Sequence, residues 1–190
     1  IFPVTKDNIQ ERFTPIREHI EYCLGNVGED NIKRIGLQGG YLKTPEDTYR
    51  NYNDVPVSYL CYNIEDKPNC RNRMLTKENM RDELIDAIKN GLNTCLNLKK
   101  FQRGFEMSVG KSEINVDIQN DATNIVLNMP VTIRRGEVSY GEDKFEEKVE
   151  VPLGRLYGVA VDILDVETEF GDFEQLNYMV AHKGQYIIDK

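Results

Sequence analysis

The sequence predicts an α+β fold in which an antiparallel β-meander over residues 101–151 is covered by two or three helices and stapled by disulfides. Three observations predict it. Between Phe101 and Val151 apolar and polar residues alternate, as in Phe105-Glu106-Met107-Ser108-Val109 and Ile114-Asn115-Val116-Asp117-Ile118, which sends successive side chains to opposite faces of a strand. On either side of that stretch the apolar spacing changes to threes and fours, the pattern of a helix with one buried stripe. Four cysteines, Cys23, Cys61, Cys70 and Cys95, are an even number with no CxxC pair, which argues for disulfides over a zinc ribbon or a thioredoxin-type motif. A sheet with one apolar face has to be covered, and the flanking helices are the natural cover.

In chain order, residues 1–13 carry little periodicity and read as a tether in which a helix can begin, with residues 14–190 as a single domain. Thr14-Pro15 reads as a helix start, with Thr14 as N-cap and Pro15 in the first turn. Ile16, Ile20, Cys23, Leu24 and Val27 share one face, continued by Ile32, Ile35 and Leu37, and Gly39-Gly40 closes this long helix. Residues 41–75 form a tyrosine-rich loop insertion, with 55–62 as its one strand candidate. A second helix starts near Thr76 and carries Met80, Leu84, Ile85, Ile88, Leu92, Cys95 and Leu96 on its apolar stripe.

Within the meander, Gly110-Lys111 suits a tight hairpin and Asn120-Asp121 a second turn. Ile125, Leu127, Met129, Val131 and Ile133 then resume the alternation. Pro130 has no amide hydrogen, which assigns that part of the strand to an edge or a bulge. After Gly136, Val138 and Tyr140 precede a turn at 141–143, and Phe145, Val149 and Val151 read as a fourth strand or a long hairpin. Pro152 opens a third helix with Leu153, Leu156, Tyr157, Val159, Ala160, Ile163 and Leu164 on its buried side. A short helix around 173–180 and a small strand at 185–188 complete the chain.

A charged fraction of 29% and a net charge of −8, with no Lys/Arg cluster longer than a pair, argue against a nucleic-acid partner, which demands concentrated positive charge. The chain begins at Ile1, and Ile1-Phe2-Pro3-Val4 reads as the resumption of a chain after something was removed.

Four cysteines allow three pairings. The expected one joins Cys61 to Cys70 across a short loop and Cys23 to Cys95 between two helices; the alternative leaves Cys23 and Cys95 as reduced core residues.

Tyr41, Tyr49, Tyr52, Tyr59 and Tyr62 are concentrated in the 41–75 insertion. Tyrosine joins contact area to a hydrogen-bonding tip, so this segment is the first candidate for a surface that meets a protein or glycan. An ordinary decorated surface loop has the same composition. Asp162, Asp165, Glu167 and Glu169, followed by Asp172 and Glu174, are the best candidate metal ligands, since calcium takes several carboxylate oxygens from a short flexible segment. The run does not follow the EF-hand spacing, and a solvated acidic helix end is the plainer reading. Calcium is thus the one cofactor considered.

His19 and His182 are the only histidines, and neither neighbours a Ser or Cys in a nucleophile–base motif. Ser108-Val109-Gly110-Lys111 matches a Ser-x-x-Lys string, but that motif starts a helix and here it lies among strands. No catalytic residue is assigned.

Two segments carry a resemblance: Ile20-Glu21-Tyr22-Cys23-Leu24 running to Ile35-Gly36-Leu37-Gln38-Gly39-Gly40-Tyr41-Leu42, and Leu92-Asn93-Thr94-Cys95-Leu96 followed by Phe101 to Gly154-Arg155-Leu156-Tyr157. They resemble a group of uncharacterised archaeal proteins, abundant in small-genome lineages, with one N-terminal membrane helix and an extracytoplasmic domain. The resemblance implies cysteines at 23 and 95 and a membrane anchor upstream of Ile1, absent from this chain. No activity is attached to the group, so it implies no catalytic residue.

The expectation is therefore a non-catalytic structural or binding module, surface-attached outside the cytoplasm. Its partner would be a protein or glycan at the cell surface, the chain itself included. The alternatives are a subunit of a cell-surface filament or assembly, and an extracytoplasmic hydrolase using carboxylates near 162–174.

Overall fold

The computed structural model describes residues 6–62, 65, 70–171 and 173–188. Helix α1 runs Lys6–Leu37, so most of the segment read as a tether is helical. Ile9 and Phe13 are buried in the same stripe as Ile16, Ile20, Cys23 and Leu24, in steps of three and four that begin before Thr14. Pro15 therefore lies inside the helix, and the Thr14 hydroxyl hydrogen-bonds back to the Gln10 carbonyl at 3.5 Å instead of capping an N-terminus. An interior proline costs about 3 kcal/mol; burying Ile9 and Phe13 at about 1.5–3 kcal/mol each offsets it. The helix ends as expected: Gly39 and Gly40 have φ of +73° and +87°, and the Gly40 amide donates to the Ile35 carbonyl at 2.8 Å.

The main sheet contains β5 (Glu106–Val109), β6 (Glu113–Ile118), β7 (Thr123–Arg135) and β8 (Val138–Val149). The β6–β7–β8 part is the expected antiparallel meander, and β7 is its centre. The register corrects the expected hairpin at Gly110-Lys111. Val109 pairs with Val131 and Glu113 with Asn128, so β5 and β6 run the same way along one edge of β7 as a single interrupted strand. The interruption faces Pro130, where the β7–β8 register also shifts between Asn128 and Val131. Pro130 thus sits at a bulge, one of its two expected places, but in the central strand. Its carbonyl accepts from the Gly110 amide at 2.7 Å.

The expected turn at 141–143 is also corrected. The β7–β8 reversal is at Gly136-Glu137, and Gly141 pairs with Thr132 inside β8. A Cβ on Gly141 would lie 2.6 Å from the Val131 carbonyl oxygen, so here glycine permits a close approach of strands.

The inward face of the sheet, with Ile114, Val116, Ile125, Leu127, Val131, Ile133, Phe145 and Val149, is buried against α1 and α2 (Lys77–Cys95). Thr76 caps α2, its hydroxyl accepting from the Asn79 amide at 3.2 Å. The Cys23–Cys95 disulfide ties the middle of α1 to the last residue of α2 at a Cα separation of 5.8 Å, and Cys61–Cys70 closes a short loop at 5.6 Å. Both separations suit the bond, so Cys23 and Cys95 are not reduced core thiols.

The 41–75 insertion is more regular than a decorated loop. Strands β1 (Tyr49–Tyr52) and β2 (Val55–Ser58) form a hairpin, and β3 (Cys61–Tyr62) pairs with β4 (Arg71–Asn72) beside the short disulfide. The single strand expected over 55–62 is therefore two. Helix α3 (Leu153–Phe170) begins at Pro152 as expected but buries only Leu153, Gly154 and Leu164, leaving Leu156 49% exposed. Helix α4 (Gln175–Ala181) follows. Residues 185–188 carry no strand.

Candidate functional site

Helix α2 stops at Cys95, held there by the disulfide to α1. The chain then makes a 3₁₀ turn, Leu98–Phe101, whose Leu98 dips back to the core. Between this corner and the β5–β6 interruption the inward face of the sheet is not filled, leaving a groove of about 910 Å³, within the range of ligand pockets.

The floor of the groove is apolar: Leu92, Leu98, Ile114, Leu127 and Met129 line it and are buried. Its rim is polar and exposed, with Lys89, Asn93, Lys99, Gln102 and Ser112. Lys89, Leu92, Asn93 and Leu96 reach it from α2 because residues three and four apart share a helix face. Among the described residues no carboxylate, histidine, cysteine or aromatic ring lines the groove, which leaves two lysines as its charge in a protein of net −8. The lining joins apolar contact area to amide, hydroxyl and ammonium groups, an arrangement that can hold a ligand.

The groove draws on α2, the 3₁₀ turn, β5, β6 and β7, and the sequence reading did not identify it. A signal was present: from Ala87 to Phe105 there is no Asp or Glu, while Lys89, Lys99, Lys100 and Arg103 fall in that window.

The five candidate tyrosines are not one surface. Tyr41 is buried and donates its hydroxyl to the Arg73 carbonyl, so it is a packing residue, a correction to its candidate role. Tyr49, Tyr52 and Tyr59 are 42%, 70% and 45% exposed. Tyr62 is half-buried with the Arg73 guanidinium 5.8 Å from its ring centre.

The acidic run does not form the short flexible segment expected, because α3 continues through it to Phe170. Asp162 accepts from the Tyr178 hydroxyl at 2.7 Å, and Glu167 accepts from the Phe173 amide at 3.2 Å. Burial, then that bond to Asp162, pushes the Tyr178 hydroxyl up to about 12. Asp172 lies outside the described residues. Among the described residues no three His, Cys, Asp or Glu gather as metal ligands do.

His19 lies over the Cys23–Cys95 disulfide, its Nε2 3.8 Å from Cys23 Sγ and its Nδ1 3.4 Å from Lys100 Nζ. Burial first, and then the Lys100 charge, lower its pKa. His182 stacks on Tyr178 with ring centres 4.0 Å apart.

No helix among the described residues is long and apolar enough to cross a membrane. The chain matches no family model, no curated protein and no solved structure.

Proposed function

We propose that this protein is a non-catalytic binding module of the cell surface, working outside the cytoplasm and using the groove between α2 and the β5–β6 interruption to hold its ligand. The observation that carries the reading is the groove itself, an apolar floor with a polar rim. Two disulfides support a compartment that is oxidising. The resemblance to anchored archaeal extracytoplasmic proteins supports surface attachment through a segment upstream of Ile1.

The assembly-subunit alternative draws on one specific observation, that β5 pairs only with β7 among the described residues, leaving a sheet edge that another chain could extend. The hydrolase alternative has no such support, since Asp162 and Glu167 are engaged in bonds that join α3 to the segment after it.

NMR of a protein labelled at its methyl groups and tyrosine rings, with short peptides and oligosaccharides as probes, tests the proposal. Ligand-dependent shifts at Met107, Met129 and Leu96 are expected. Shifts confined to the rings of Tyr49, Tyr52 and Tyr59 would move the site to the β1–β2 hairpin and refute the reading.

A further inference from the structure

We infer that the occupant of the groove is an extended acidic segment of a partner protein, which adds as a strand to the free edge of β5. This rests on the groove being the binding site and goes beyond it in naming the ligand. In an antiparallel pair alternate residues turn their N–H and C=O groups away from the partner strand. Among the described residues nothing pairs with the far side of β5, so those groups are available to a new strand.

This edge is also less densely charged than the opposite one. Natural sheets blunt their edges with charge, and the opposite edge follows that rule: β8 carries Lys144, Glu146 and Lys148 along its exposed side, with ion pairs Lys144–Glu146 and Lys148–Glu150. On the β5 side, β6 exposes Glu113 and Asp117. From Glu106 to Ser112 the charges are Glu106 at the start of β5 and Lys111, with none on Met107, Ser108, Val109 or Gly110, and Val109 is 46% exposed. A strand added here would direct every second side chain to the inward side of the sheet, beside Met107 and Val109, which line the groove.

Charge and lining choose among partners. The acid-free rim with Lys89 and Lys99 stands in a surface of net −8, so an acidic segment is attracted to this place and repelled from the rest of the molecule. Stacking a sugar ring wants an aromatic face, and among the described residues none lines the groove. An alternation of apolar and acidic residues meets both the floor and the rim.

Selection of random peptides of about twelve residues, displayed against the immobilised full chain, tests this. Enrichment of alternating apolar and acidic residues is expected. Binding of the selected peptides should fall by at least about tenfold on the Lys89→Glu/Lys99→Glu protein. It should also fall when proline, which cannot donate to a ladder, replaces alternate peptide residues. Both lysines are exposed, and thermal unfolding checks that the variant is folded.

Selected peptides that tolerate both changes would overturn the inference, as would a selection that enriches nothing. If acid-free peptides still shift Met107 and Met129, the groove stands as the site and the acidic strand is refuted; if they shift only the hairpin tyrosines, both fall. A dimer in light scattering whose β5 amides are already protected would assign the edge to a second copy instead.

Discussion

Arg17 on α1 and Glu142 on β8 are joined fork to fork: Arg17 Nε donates to Glu142 Oε2 at 2.7 Å, and a second guanidinium N–H meets Oε1. Tyr140 donates to the same Oε1 at 2.8 Å, while its ring packs edge-on against Phe13 at 5.3 Å. The network fixes the first half of α1 on the sheet, including residues 6–13, which the sequence pattern assigns to a tether.

The Arg17 hydrogen bonds hold the Glu142 carboxyl below the usual carboxylate range, with Tyr140 assisting against the opposing effect of burial. A depressed carboxylate stabilises the fold above its unfolded pKa, and that stability is lost as pH falls through the folded value. Glu142→Gln should therefore cost about 1–2 kcal/mol near neutrality, with the difference from the parent shrinking below about pH 4. Urea unfolding of both proteins across pH measures it. Glu21, pushed up first by burial and also by the Glu142 charge, acts in the opposite sense, and loss of that charge lets it fall back in the variant.

His19 gives a second pH signature of the same direction. Its folded pKa is lowered, so the unfolded chain takes up the proton first, and stability declines as pH falls from about 6.5 through the folded value. Lys100→Met should raise the His19 pKa while leaving it below the ordinary value, because burial is the larger cause. An NMR titration of the ring protons checks both statements.

Two glycines should respond oppositely to alanine. A Cβ on Gly28 would sit 2.3 Å from Ile125 Cδ1, whereas one on Gly158 meets nothing within 4 Å. Gly28→Ala should destabilise by about 1–3 kcal/mol through overpacking. Gly158→Ala, in an open helix position, should stabilise by about 0.5–1 kcal/mol. Denaturant midpoints decide the signs.

The disulfides should differ in worth. Opening Cys23–Cys95, with a sequence separation of 72, should cost about 4 kcal/mol by loop entropy, and opening Cys61–Cys70, with a separation of 9, about 3 kcal/mol. Cys→Ser pairs and denaturant melts measure both. The long bridge also fixes the end of α2 that walls the groove, so its loss should weaken ligand binding more than loss of the short one.

What the sequence made legible was periodic: the alternation of β6 and β7, the stripe of α2 beneath its Thr76 cap, and the pairing of four cysteines. What it hid was decided by distant partners. Gly110 and Gly141 resemble turn residues, but one answers a bulge at Pro130 and the other a close strand. Pro15 resembles a helix start until Ile9 and Phe13 find the core. The groove was least legible, because its lining comes from five elements and no local pattern records their convergence; the acid-free window from Ala87 to Phe105 was its one trace.

Amide hydrogen exchange along β5, in the free protein and with an acidic peptide selected on it, tests the binding account most directly. The outward-facing amides among Met107, Ser108 and Val109 should exchange rapidly in the free protein and become protected in the complex, while those of β7 stay protected throughout. Protection of the β5 edge in the free protein, or no change there when the peptide binds, would contradict the account.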